Sequence, residues 1–318
     1  MSPPSLASTY GAWLISLFLE TLLYGVGIFQ TFLYFQWWPT DSWSIKGPVV
    51  IVTFLETVQI TFFFISTYYR FVQRFGEPPG DLIWSDSLQL LANYLTAFVV
   101  QMHFASVIYR LAKKRAGIRR LSSLVTYPVI VLAFVQISAG IAQTILSYQL
   151  RSFSKLEQTK VTTTLQTAAS LACDVVITML LFRCLTIYKD GTERTLKMLN
   201  SVMTNAVIRG MLTAASSAAT MILFLLYPDT FWFFLSFAPN SKLYMNSMLA
   251  SLNMRQHNCD LASPNGEDGI ELSQLSTGRS VVTSPAVFAG SRDEEETLPG
   301  TTTESAYPST DCTATATA

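Results

Sequence analysis

Long apolar runs joined by short polar connections fill the first 255 positions of the chain, and one run differs from the rest. Residues 231–255 open as Phe231-Trp232-Phe233-Phe234-Leu235 and then turn polar on one side only. Lys242, Asn246 and Asn253 recur at i, i+4 and i+11 with Ala250 between them, which is one stripe of a helix. Leu243, Met245, Met248, Leu249 and Leu252 keep the remaining positions apolar. A membrane helix with one polar stripe turns that stripe toward other helices or a wet cavity.

Seven segments meet the bilayer requirement of about 20 mostly apolar residues: 12–37, 47–69, 87–111, 124–147, 161–187, 203–227 and 231–252. Each is far longer than a barrel strand of about 10 residues, and in lipid the backbone must satisfy its own hydrogen bonds, so the pattern predicts helices. Pro228-Asp229 leaves so short a connection that the last two helices should pair antiparallel. The expected fold is all-α, a seven-helix transmembrane bundle over residues 1–255. Residues 1–11 lack the basic n-region of a cleaved signal peptide, so the first helix should be retained.

Charge adds an orientation. Only 13% of the 318 residues are charged and the formal net charge is zero, but the balance is uneven along the chain. Beyond Arg255 there are ten carboxylates and two arginines, in a segment rich in Ser, Thr, Pro and Gly that includes Asp293-Glu294-Glu295-Glu296. Such a segment buries too little apolar surface to offset its ordering entropy, so residues 256–318 are expected to form a disordered, acidic tail. Eleven basic residues fall on one side of the expected bundle, in Lys113–Arg120 and its neighbour Arg110, in Lys189, Arg194 and Lys197, and in Lys46 and Arg255. Arg70, Arg74, Arg151, Lys155 and Lys160 face the other side. The positive-inside rule then places the N-terminus outside and the C-terminus in the cytosol.

Candidate chemistry is confined to the few ionisable groups within the segments. Glu56, Asp174 and Lys242 lie near mid-segment, Glu20 in the outer half of the first and Arg209 in the inner half of the sixth. An ionised group at mid-bilayer costs about 2.5–3.5 kcal/mol, so such residues face inward and pair. Lys242 opposite Glu56 or Asp174, with Asn246 and Asn253, makes either a polar ligand site or an ion pair that sets helix register. Thr163, Thr167, Ser170, Asp174 and Thr178 form a further stripe, as do Gln136, Gly140, Gln143 and Ser147. Small and hydroxylated faces let membrane helices approach closely. With two histidines, four scattered cysteines and no nucleophile–base pair or phosphate loop, no catalytic residue, cofactor or metal is expected, and the chain does not read as an enzyme. A retinal Schiff base at Lys242 lacks an acid in the third segment, and the rhodopsin-like receptor motifs are missing.

The stretch Ser241-Lys242-Leu243-Tyr244-x-Asn246-Ser247-x-Leu249-Ala250-x-Leu252-Asn253-x-Arg255 resembles the closing signature of a fungal, mainly basidiomycete, membrane family of unknown function, the DUF6534 type. Leu23-Tyr24-Gly25, Phe75-Gly76-Glu77-Pro78, Ile108-Tyr109-Arg110-Leu111 and Arg209-Gly210-x-Leu212-Thr213 agree with it. Where that resemblance implies Leu-Asp-x-x-His, the chain has Leu55-Glu56-Thr57-Val58-Gln59, keeping the carboxylate and losing the imidazole. The resemblance implies a seven-helix integral membrane protein with a variable tail and brings no activity.

These features point to a multi-pass protein of the plasma membrane or an endomembrane whose partners are the lipid bilayer and a cytosolic protein at Lys113–Arg120 and the acidic tail, with no role for nucleic acid. A receptor-like or sensory function leads. A transporter or channel, or a membrane organiser, uses the same polar centre. In intact cells, a tag at residue 2 should be reached by antibody from outside or from the lumen, and a tag at residue 318 only after permeabilisation; the reverse pattern would invert the bundle.

Overall fold

A computed structural model describes residues 10–76, 81–113, 122–150, 152, 158–188, 193–226 and 232–260. Residues 1–9, Lys114–Arg120 of the basic stretch, the Pro228-Asp229 connection, the Arg209 side chain and the expected tail from residue 261 lie outside this description. The chain divides into two units, Met1–Asn258 and Cys259–Ala318, and the bundle belongs to the first.

The fold is all-α. Seven helices follow one another: α1 (Ala12–Trp37), α2 (Trp43–Tyr68), α3 (Trp84–Lys113), α4 (Ser122–Leu150), α5 (Lys160–Tyr188), α6 (Glu193–Leu226) and α7 (Phe234–Asp260). A π-helical turn, Tyr69–Gln73, prolongs α2. Among the described residues no strand forms beyond an isolated bridge between Asp81 and Ser152.

Five of these helices are long and apolar enough to cross a membrane: 12–37, 43–73, 84–113, 126–150 and 160–183. The sequence pattern predicts seven such spans. The described apolar part of α6, Gly210–Leu226, is shorter, and α7 does not qualify. The reason in α7 is physical. Apolarity marks the surface a helix turns to lipid, and among residues 234–255 of α7 no large hydrophobic side chain is exposed. The outer faces belong to other helices, through Phe18, Leu22 and Phe32 on α1, Phe54 and Phe64 on α2, Phe134 on α4 and Phe182 on α5. α7 also runs eight residues past Leu252 to Asp260, because helical hydrogen bonding does not stop where bilayer-grade composition does.

Consecutive helices from α1 to α6 pack against their neighbours, and α3 also packs on α5. The polar stripes on α4 and α5 face inward as their periodicity predicts: Gln136, Gln143, Ser147, Thr167, Ser170 and Asp174 are all buried. Small residues set the closest approaches. A Cβ on Gly140 of α4 would lie 2.7 Å from the ring of Tyr94 on α3, and one on Gly27 of α1 would lie 2.8 Å from the Met245 sulfur on α7. A Cβ on Gly210 of α6 would collide with the Thr178 hydroxyl of α5.

Gly140→Val should therefore lower stability by about 1–3 kcal/mol, because the added carbons overlap the buried Tyr94 ring and force it out of its packed position. Gly25→Ala is the matched control, with nothing within 4 Å of the added carbon. Thermal unfolding of the purified proteins should separate the two, and equal melting curves would mean that α3 and α4 do not touch at Gly140.

Candidate functional site

α7 begins against an aromatic cluster. Trp13 of α1, Phe63 of α2 and Phe234 of α7 are buried together with Ala12 and Ala238. The Trp13 ring centroid lies 5.1 Å from that of Phe63 and 4.5 Å from that of Phe234. One turn beyond Ala238, the Lys242 ammonium sits 2.5 Å from Glu56 Oε2 and 2.8 Å from Glu20 Oε1. It also donates to Gln59 Oε1, and the Ser241 hydroxyl donates to Glu56 Oε2 over 3.1 Å. Lys242, Glu20 and Glu56 are each 0% exposed, which seals the cluster from water and lipid alike. Buried charges in such a place are tolerated when paired and hydrogen-bonded.

Of the two acids expected opposite Lys242, the structure brings Glu56 and leaves Asp174 elsewhere. Asp174 Oδ2 accepts from the Tyr244 hydroxyl, Oδ1 accepts from Gln101 Nε2 at 3.4 Å, and the Ser170 hydroxyl lies 3.1 Å from that of Tyr244. Tyr244 is two residues from Lys242, about 200° around the helix, so Asp174 meets the opposite face of α7. Its place is taken by Glu20. The signal for this was depth: Glu20 lies eight residues into α1 and Lys242 eight into α7, both about 12 Å from the same end. Asp174, 14 residues into α5 from that end, is about 21 Å deep.

Asn246 and Asn253 do not join the charged cluster. Their amide groups donate to the backbone of α1, Asn246 to the Leu23 carbonyl and Asn253 to the Gln30 carbonyl, each at 2.9 Å. Both pairs are 223 positions apart in sequence, so α1 and α7 run parallel at a constant register, with Met245 seated over Gly27 between them.

Two ion pairs that sequence reasoning treated as loop charges secure the ends. Arg70, in the π-helical turn, is buried and reaches Asp86 at the start of α3, 2.5 Å away, while its guanidinium stacks 4.6 Å over the Trp13 ring. At the other end Arg255 pairs with Asp41 at 2.6 Å and stacks 4.5 Å over Trp38. The Tyr34 hydroxyl also donates to Asp41, at 3.0 Å. Among the described residues no group of His, Cys, Asp and Glu is arranged to hold a metal ion.

Residues 170–257 match a family of unknown function, DUF6534. The matched region runs from within α5 to the last turn of α7 and contains Ser170, Asp174, Lys242, Tyr244, Asn246 and Asn253. Glu20 and Glu56, the acids that hold Lys242, lie outside it. No curated protein and no solved structure matches the chain.

Lys242→Met should cost about 3–5 kcal/mol, because it leaves buried carboxyls without their cation. Adding Glu56→Gln or Glu20→Gln should recover part of that loss, whereas adding Asp174→Asn should recover none and bring its own cost for the Tyr244 bond. Melting curves of the single and double variants check this; recovery with Asp174→Asn, or strict additivity with both glutamates, would contradict the pairing.

Proposed function

We propose that this membrane protein is receptor-like, with seven crossing helices, the N-terminus outside and the C-terminus cytosolic, and that it catalyses no reaction. One observation carries the reading. α7 is joined by side-chain bonds to five other helices: to α1 and α2 through Lys242, to α3 through Asn93 and the Phe237 carbonyl, to α5 through Tyr244, and to α6 through Ser216 and the Ser236 carbonyl. A displacement of α7 at its aromatic end is then felt along its length as far as the Arg255–Asp41 pair. Signalling across a bundle needs one element whose movement several helices share. The orientation is supported by the charge count, which keeps its imbalance when Arg70 and Arg255, one from each side, are both drawn into ion pairs. A cytosolic partner would engage Lys113–Arg120 and the acidic tail.

A proton-coupled carrier is favoured by a different observation. Two carboxyls share one ammonium in a sealed site, and Glu20 Oε2 and Glu56 Oε1 have no hydrogen-bond partner, so the cluster has one carboxyl more than its cation balances. Liposomes containing the purified protein and a pH-sensitive dye separate the two. The receptor-like reading expects no acid uptake above that of empty liposomes under a pH gradient. Uptake that Glu56→Gln abolishes would replace it with the carrier.

A further inference from the structure

We propose that the cavity bounded by α3, α4, α5, α6 and the start of α7 binds a small, neutral, apolar molecule that carries one hydrogen-bond donor. The cavity holds about 50 Å³ of free space, and its wall is mostly apolar, with Phe224 of α6 and Phe233, Phe234 and Phe237 at the α7 end. A single water needs about 10–15 Å³ and several polar partners, so this space is larger than one water and poorly suited to several.

The polar atoms on the wall define the ligand. Gln89 Oε1, Ser147 Oγ and Thr163 Oγ1 are buried and have no hydrogen-bond partner. Gln89 is 4% exposed and Ser147 1% exposed. Elsewhere in the bundle buried Ser and Thr hydroxyls turn back on the carbonyl four residues earlier, as Ser16, Thr31 and Thr67 do. Ser147 and Thr163 have that option and do not take it. An unpartnered polar atom at such burial costs free energy unless something fills the place. Gln89 Oε1 can only accept, so the missing group is a donor.

The ligand is neutral because the one formal charge on the wall is already matched. Asp86 Oδ1 accepts from the Ser66 hydroxyl and from Arg70 Nη1, and its Oδ2 accepts from Arg70 Nη2 and the Ile83 N–H. An ammonium ligand would have to displace Arg70, and a carboxylate would face Asp86. Below the cavity a second space of about 10 Å³, sharing Tyr94, Thr220 and Phe237 with the first, reaches Ser170 and so the Tyr244–Asp174 pair. A molecule in the upper space presses on Phe234 and Phe237, one to two turns ahead of Lys242 on α7.

The inference rests on the receptor-like reading for its consequence, not for binding. The test uses the purified full chain in nanodiscs, with ethanol as probe and propane as the same shape without the donor. Ethanol should raise the thermal midpoint and propane, at equal bilayer concentration, should do so with about tenfold weaker apparent affinity, one hydrogen bond's difference. Gln89→Met, which keeps the side-chain length and removes the acceptor, should weaken ethanol to the level of propane; Ser147→Ala with Thr163→Val should weaken it in part. Equal shifts from both probes, no shift from either, or an ethanol shift unchanged in Gln89→Met would overturn the site. Tryptic cleavage at Arg255 is read in parallel. If ethanol binds as expected and leaves that cleavage rate unchanged, the site stands and the receptor-like reading fails.

Discussion

The Lys242 ammonium, held between the Glu20 and Glu56 carboxyls with no exposure to water or lipid, is the constraint on which the packing of α7 depends. A charged lysine in hydrocarbon has few tolerable surroundings, and here they are supplied by two helices at once. That requirement fixes the rotation of α7 about its axis, because only one face can present Lys242 to α1 and α2. The same rotation brings Asn246 and Asn253 to the α1 backbone and Tyr244 to Asp174 on α5. The aromatic cluster of Trp13, Phe63 and Phe234 then closes the end of the site that water would enter most easily.

Interior helices and peripheral helices follow opposite composition rules in this bundle. α1, α2, α4 and α5 show large apolar side chains outward and carry their polar groups inward. α7 has neighbours on most sides, so its polar residues have protein partners and its outward apolar surface is small. Four of the five helices that composition alone marks as spans have a large face to turn to lipid; α3 qualifies although more than half of its span is buried, and α6 turns Met211, Leu212, Ile222, Leu225 and Leu226 outward. At either end of the bundle an arginine is both paired with an aspartate and stacked on a tryptophan, an arrangement that lets the guanidinium lose water without losing its partners.

The two polar networks flanking α7 differ in what they offer. The Lys242 side is closed by its ion pairs, with Glu20 Oε2 and Glu56 Oε1 left without a hydrogen bond, and neither of the two cavities described above reaches it. The opposite side is open to a chain of small spaces with unpartnered amide and hydroxyl oxygens. The expectation of a ligand among Glu56, Asp174 and Lys242 thus divides: the charges went to holding α7, and the room for a ligand lies on its other face, toward α3 to α6.

The sequence by itself determined that the chain is helical and membrane-embedded, which faces of α4, α5 and α7 turn inward, and that Lys242 needs an acid. All of these are properties of one helix at a time: length, periodicity and depth along an axis, each readable from spacing. Glu20 was within reach of the same reasoning, since its depth equals that of Lys242. The tertiary structure alone decided which helices stand beside α7 and at what rotation. That choice gave Lys242 to α1 and α2, gave Asp174 to Tyr244, and turned Arg70 from a loop cation into a buried partner of Asp86. Adjacency between helices depends on packing across the whole bundle, on contacts such as Gly27 with Met245 and Gly140 with Tyr94, and no local pattern in one segment encodes it.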